Sequence, residues 1–75
     1  MKIVIYTKDN CVNCTTAKQL LKSKGLEYEE KDAEVQPHLT FVISQGLRQM
    51  PQIWIDGQRV GGLAGLQAAL KQLGV

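Results

Sequence analysis

The sequence is poor in the residues that usually build metal sites and membrane segments, and this scarcity excludes several classes of function. Its 75 residues include two cysteines, one histidine and two prolines. A zinc site takes four ligands, which these few side chains do not supply within one chain. No apolar run approaches the length of a bilayer span, so the sequence predicts no transmembrane segment.

The net charge is also small. The formal net charge is +2, and lysines and arginines do not cluster, so the sequence predicts no nucleic-acid surface. The apolar stretch after Lys2 is too short for a signal peptide, and no small-residue cleavage site follows it. We therefore expect a cytoplasmic protein that binds neither nucleic acid nor membrane. Thiols stay reduced in that compartment unless they cycle through catalysis.

What the sequence does contain is a pair of cysteines, Cys11 and Cys14, directly after an apolar, β-branched run at residues 3–6. Helix-forming sequence follows, which puts the first sulfur at a helix N-terminus. The helix dipole and free backbone N–H groups favour an anion there, so a thiol loses its proton more readily. The thiolate is the form that attacks disulfides. This placement is typical of a thioredoxin-like redox motif.

A purely structural disulfide is the plainest alternative. A loop of about four residues gains roughly 2 kcal/mol from its disulfide, against about 4 kcal/mol for a loop spanning most of such a domain. A disulfide between Cys11 and Cys14 would therefore stabilise the fold only weakly, and a redox role is favoured over a structural one. Metal binding is a third interpretation of the same two residues.

The remaining pattern predicts one domain, residues 1–75, in which strands and helices alternate. Strands are predicted at 2–7, 26–32, 53–55 and 58–60, and helices at 12–24, 37–46 and 63–73. Asp56-Gly57 predicts a tight turn between the last two strands. The order βαβαββα predicts an α/β fold with a four-stranded mixed sheet and helices on both faces. The first two strands should be parallel and the last two antiparallel.

Four stretches, in order, resemble the glutaredoxin and NrdH-redoxin family of the thioredoxin superfamily. Residues 5–14 resemble its first strand and active-site loop, 46–51 the segment that supplies a cis-proline, 51–57 its hairpin and 60–63 its glycine pair. The resemblance spans essentially the whole chain. It implies a thioredoxin-like fold and a thiol-disulfide oxidoreductase that carries electrons, works as a monomer and holds no bound cofactor.

The resemblance also implies roles for single residues. Cys11 is the candidate nucleophile, which forms a mixed disulfide with a substrate protein, and Cys14 is the buried resolving thiol. The candidate substrate-binding residues are Lys8, Val12, Asn13, Met50, Pro51, Gly61 and Gly62. A cis-Pro51 would turn the Met50 backbone toward an extended peptide or glutathione beside Cys11. For Lys8 a solvated surface position remains an alternative, and for the glycine pair an ordinary strand-to-helix turn.

The two halves of the chain resemble different subfamilies. Cys-Val-Asn-Cys and Gly-Leu-Arg-Gln-Met-Pro are similar to the NrdH-redoxins, which thioredoxin reductase reduces and which feed ribonucleotide reductase. Gly61-Gly62 is similar to glutathione-dependent glutaredoxins. Those proteins follow the pair with two acids that hold the glutathione ammonium, whereas this chain has Ala64 and Gly65, leaving backbone carbonyls or Asp56 as acceptors.

The sequence therefore predicts an NrdH-like reductant of protein disulfides, with ribonucleotide reductase as one candidate target. Its electrons would come from NADPH through thioredoxin reductase, with glutathione as the alternative source. A zinc or iron–sulfur module, with a dimer supplying four thiolates, and a redox-silent interaction domain are more distant alternatives.

Overall fold

The computed structural model describes residues 1–75 as seven elements in the predicted order βαβαββα. The elements are β1 (Ile3–Thr7), α1 (Val12–Ser23), β2 (Glu29–Asp32), α2 (His38–Ser44), β3 (Gln52–Ile55), β4 (Gln58–Gly61) and α3 (Leu63–Leu73). The strands form one sheet in the order β2-β1-β3-β4. β1 is parallel to β2 and antiparallel to β3, and β3 and β4 are antiparallel. The predicted fold class is confirmed.

β1 lies in the interior of the sheet because it is apolar on both faces. Ile3 and Ile5 point into the larger core, while Val4 and Tyr6 point to the opposite side. β2 is an edge strand with mostly exposed side chains, as its charged alternation predicts.

The prediction for β2 was wrong about where the strand begins. Gly25 adopts a φ of +67°, and its N–H donates to the Lys22 carbonyl at 3.0 Å. The Leu26 N–H donates back to the Leu21 carbonyl at 3.0 Å. This Schellman motif uses Leu26 to close α1, so the strand begins only at Glu29.

The same type of closure shortens α2 relative to the predicted 37–46. Gly46, with a φ of +70°, donates to the Ile43 carbonyl, and Leu47 donates to the Val42 carbonyl, both at 2.9 Å. At the other end Pro37 occupies the N-cap position instead of the first turn, and its peptide bond with Gln36 is cis. The result is a helix of 7 residues.

The two faces of the sheet are covered unequally. On one side, α1 and α3 pack over a core of eight buried residues: Ile3, Ile5, Ala17, Leu21, Ile53, Ile55, Leu66 and Leu70. On the other side, the short α2 buries only Tyr6, Ala33 and Val42. Trp54 is therefore only half-buried, and His38 packs edge-on against Tyr6 with ring centroids 6.0 Å apart.

The Asp56-Gly57 turn forms as predicted. Both residues have positive φ, 50° and 82°, as in the two-residue turns that suit the twist of a hairpin. None of the three helices combines the length and the apolar character that crossing a bilayer requires.

Candidate active site

The first cysteine caps α1. Cys11 has extended backbone angles, φ −116° and ψ 103°, and its sulfur accepts a hydrogen bond from the Cys14 N–H at 3.2 Å. This bond takes the place that a serine or aspartate oxygen fills at an ordinary helix N-cap. A Cys11 thiolate would gain more from the same N–H and from the helix dipole, because both favour negative charge.

The two cysteines form a disulfide, with their Cα atoms 5.2 Å apart. Cys14 is 2% exposed, whereas Cys11 is only half-buried. A sulfur of another molecule can therefore approach Cys11 but is screened from Cys14. This asymmetry is the one that the sequence predicts for a nucleophile and a resolving thiol.

The loop before β3 comes from a distant part of the chain to meet the same sulfur. The Met50 carbonyl oxygen lies 3.4 Å from Cys11 Sγ, across 39 positions of sequence. The peptide bond between Met50 and Pro51 is cis, as the resemblance implies. Pro51 is buried, and its carbonyl oxygen lies 3.4 Å from where a Cβ on Gly62 would stand. The Cys11, Pro51 and Gly62 segments therefore meet at one place.

A groove of about 530 Å³ opens beside the disulfide. Its walls include Lys8, Cys11, Val12 and Cys14, together with Lys18 from the second turn of α1. Val12 is 79% exposed and Asn13 is also exposed, so the two residues between the cysteines face solvent. Lys8 forms no ion pair, which leaves its ammonium free to meet an anion in the groove.

Lys18 also takes part in a set of charged contacts that the sequence did not reveal. Lys18 Nζ is 3.0 Å from Glu30 Oε2, and the same oxygen accepts a 2.8 Å hydrogen bond from the Thr7 hydroxyl. Thr7 is 5% exposed, so its hydroxyl needs this partner. The bonds from Lys18 and from Thr7 hold the pKa of the Glu30 carboxyl below its ordinary value. Only the parallel pairing of β1 and β2 brings these residues together.

The lowered pKa of Glu30 predicts how stability responds to acid. Because the folded-state pKa lies below the ordinary value of 4.5, the ionised carboxylate stabilises the fold above that pH. This stabilisation should be lost as the pH falls through the lower folded-state pKa. Urea unfolding from pH 7 to pH 3 should therefore show a smaller acid-induced loss for Glu30→Gln than for the unmodified protein. Glu29→Gln is the control, and an equal effect of both substitutions would contradict the assignment.

The different exposure of the two thiols predicts the order in which they react. In reduced protein, iodoacetamide at mildly acidic pH should alkylate Cys11 first, because it is reachable and lies at the helix N-terminus. Peptide mass spectrometry after short reaction times measures the order. Preferential labelling of Cys14 would reverse the two roles.

Ala64 and Gly65, which stand where glutathione-dependent glutaredoxins have two acids, differ in how much space a larger side chain would have. Ala64 is exposed, but Gly65 packs so closely on β4 that a Cβ would collide with the carbonyl oxygen and carbon of Val60. Asp56, considered as a substitute acceptor, lies in the hairpin turn, where its carboxylate accepts from the Lys2 N–H at 2.7 Å. Asp56 follows Ile55, which pairs with Ile3 at the start of β1. Cys11 lies after Thr7, at the opposite end of β1. Asp56 therefore does not lie at the disulfide.

No group of three or more histidine, cysteine, aspartate or glutamate side chains is arranged to hold a metal ion.

Comparison with known proteins points to one family. The glutaredoxin family model matches residues 3–60. The chain is 40% identical over 68 residues to a glutaredoxin of Pseudomonas aeruginosa, covering 88% of this chain and 81% of that protein. It is 37% identical over 54 residues to the glutaredoxin-like protein NrdH of Salmonella typhimurium, covering 71% and 67%.

A solved structure agrees with these matches. The NrdH-redoxin of Escherichia coli, described as a glutaredoxin-like protein with a thioredoxin-like activity profile, superposes with a TM-score of 0.75 at 25% identity. The match covers 91% of this chain and 93% of that one.

Proposed function

Because the chain belongs to the glutaredoxin family, whose members are thiol-disulfide oxidoreductases, we propose that it reduces protein disulfides as an NrdH-redoxin-like electron donor. The observation that carries this proposal is the asymmetric disulfide, with Cys11 reachable at the helix N-terminus and Cys14 buried beneath it. Ribonucleotide reductase is the target class that the NrdH resemblance suggests.

The reaction proceeds in two exchanges. The Cys11 thiolate attacks one sulfur of a substrate disulfide, forming a mixed disulfide, and the other substrate sulfur leaves as a thiolate that takes up a proton. Cys14 then loses its proton and attacks Cys11, which releases the second substrate sulfur. Two electrons pass to the substrate, and the protein is left with its Cys11–Cys14 disulfide.

The segments around Cys11 supply the substrate surface of this proposal. Met50, Pro51, Gly61 and Gly62 would offer backbone groups to an extended segment of the target. The position of Gly62 beside the Pro51 carbonyl supports this arrangement, since it brings the backbones of both segments to one edge of the site. Lys8 would stabilise the Cys11 thiolate or contact an acidic group of the partner.

The exposed pair between the cysteines would touch the partner first. Val12 and Asn13 both lie at the solvent-facing start of α1. The Val12 side chain, 79% exposed beside the reactive sulfur, would remove apolar surface from water on packing against the target.

Thioredoxin reductase is the electron source that the site favours. A bound glutathione would bring an ammonium that needs an acceptor, and a polar group left unpaired costs about 1–3 kcal/mol. Ala64 and Gly65 offer no side-chain acceptor, and the Val60 carbonyl leaves no room for one at the second position. The alternative, a glutathione-dependent glutaredoxin, is supported by Gly61-Gly62 and by the match to the Pseudomonas aeruginosa protein.

Reconstituted electron transfer separates these two sources. NADPH with thioredoxin reductase should reduce the disulfide faster than NADPH with glutathione reductase and glutathione, because an unpaired ammonium weakens glutathione binding by about tenfold. NADPH oxidation at matched protein concentration measures both rates, with Cys11→Ser as the inactive control. Ala64→Asp should raise only the glutathione rate. A fast glutathione rate in the unmodified protein, with no response to thioredoxin reductase, would establish the alternative.

Two further measurements test the target and the metal alternative. A purified ribonucleotide reductase, with this protein and its reductase as the only electron source, should form deoxyribonucleotides. As a positive control, the same reductase should turn over with an established NrdH-redoxin. If it does so but shows no turnover with this protein, ribonucleotide reductase is not the target.

The metal alternative is tested by absorption. Protein purified without oxygen should show no iron–sulfur absorption, and a visible band that scales with protein concentration would favour the metal module.

A further inference from the structure

A second cavity lies on the α2 side of the sheet and shares no lining residue with the groove at Cys11. Its volume is about 220 Å³. Its walls include the rings of Tyr6, Phe41 and Trp54, and the side chains of Lys2 and Lys31 also line it. We call this cavity the aromatic groove.

The three rings of the aromatic groove form a connected cluster. Tyr6 lies 5.3 Å from both Phe41 and Trp54, and those two are 5.6 Å apart, measured between ring centroids. The chain has only four aromatic residues, so most of them are gathered here. Phe41 is nevertheless 37% exposed and Trp54 half-buried, because the short α2 leaves this face partly uncovered. Partly exposed rings in a cavity offer a stacking surface for a planar group.

The two charged residues that line the groove are both lysines. Lys31 Nζ stands 6.0 Å from the centre of the Tyr6 ring and 3.9 Å from a Glu29 carboxylate oxygen. The Lys2 ammonium has no ion-pair partner, since Asp56 is bonded to the backbone N–H of that residue. No carboxylate lines the cavity itself. An anionic group on an apolar body would therefore complement both the walls and the rim.

We propose that the aromatic groove binds a small planar aromatic monocarboxylate, with its ring against the aromatic cluster and its carboxylate between Lys2 and Lys31. The cavity volume of about 220 Å³ lies below the range of drug-sized pockets, which suits one ring or a fused pair. A second copy of the chain fits less well, because two-fold pairing through this face would bring lysine against lysine.

Titration of isotope-labelled protein with 2-naphthoate tests the proposal, because Trp54 is the only tryptophan and its indole N–H gives a single NMR signal. The Trp54 signal should shift saturably, with a Kd of about 1 mM or tighter for a ligand of this size. The uncharged isostere 2-naphthamide should bind at least about tenfold more weakly. Equal binding of the amide, or shifts centred on the Cys11 loop, would overturn the proposal. So would tighter binding of a peptide that ends in an aromatic residue.

Matched charge variants complete the test. Lys2→Gln with Lys31→Gln should weaken 2-naphthoate binding at least about tenfold without changing the rate of disulfide reduction. Lys24→Gln with Lys71→Gln removes the same charge beside the other face, around a cavity between α1 and α3, and should leave binding unchanged. An equal loss in both double variants would mean a net-charge effect and no site. The comparison of acid with amide is made on the unmodified protein, so it holds even if a variant folds poorly.

Discussion

Cys11→Ser should abolish the reduction of protein disulfides, with a rate loss on the order of a thousandfold or more, because no other thiol is reachable at the site. Cys14→Ser should keep the attacking sulfur but lose the resolving one. It should therefore accumulate a mixed disulfide with its substrate instead of turning over.

Non-reducing electrophoresis and intact mass measure the trapped complex, and NADPH consumption measures turnover. Because Cys14 is buried, Cys14→Ala is a useful companion that avoids placing a hydroxyl in the core. Thr15→Ser, one position further along α1 and exposed, is the control for substitution near the motif. Full activity of the Cys11→Ser protein would overturn the mechanism, and so would a trapped complex through Cys14.

Gly65→Ala should destabilise the fold by about 2–3 kcal/mol, which for a domain of this size lowers Tm by roughly 10 °C or more. The added Cβ collides with the Val60 carbonyl, so α3 must move away from β4. Alanine is otherwise the better helix former by about 1 kcal/mol, and in an open position the substitution would stabilise the helix. The sign of the change therefore reports on the contact itself.

Ala64→Asp is the matched control for that substitution. It lies one residue earlier, is exposed, and falls in the first turn of α3, which contains no acid. A carboxylate there should raise stability by about 0.3–1 kcal/mol through the helix dipole. Thermal and urea unfolding measure both variants. A Gly65→Ala protein as stable as the unmodified chain would show that the close contact with Val60 does not exist in solution.

Part of this structure is determined by residues that are neighbours in sequence. Three features were predictable because neighbours in sequence determine them. They are the strand, C-x-x-C motif and helix around Cys11, the Asp56-Gly57 turn, and the order of elements. Cys14 is buried because its spacing places it on the same face of α1 as Ala17 and Leu21, whereas Cys11 precedes the helix. The start of β2 was predicted wrongly because the Leu26 N–H closes α1 by bonding to the Leu21 carbonyl, so Leu26 does not join the strand.

Only the tertiary structure decided which distant groups meet. The Met50 carbonyl meets Cys11 because β3 begins beside the end of β1, and the pairing of β1 with β2 brings Glu30 to Thr7. Gly65 cannot carry a side chain because the Val60 carbonyl of another element lies where its Cβ would be. A glycine in the sequence does not by itself reveal that contact. The aromatic groove exists because α2 is too short to cover its face. Each of these contacts is a close approach between elements, and packing in three dimensions determines it, because no local pattern encodes the distance between residues far apart in sequence.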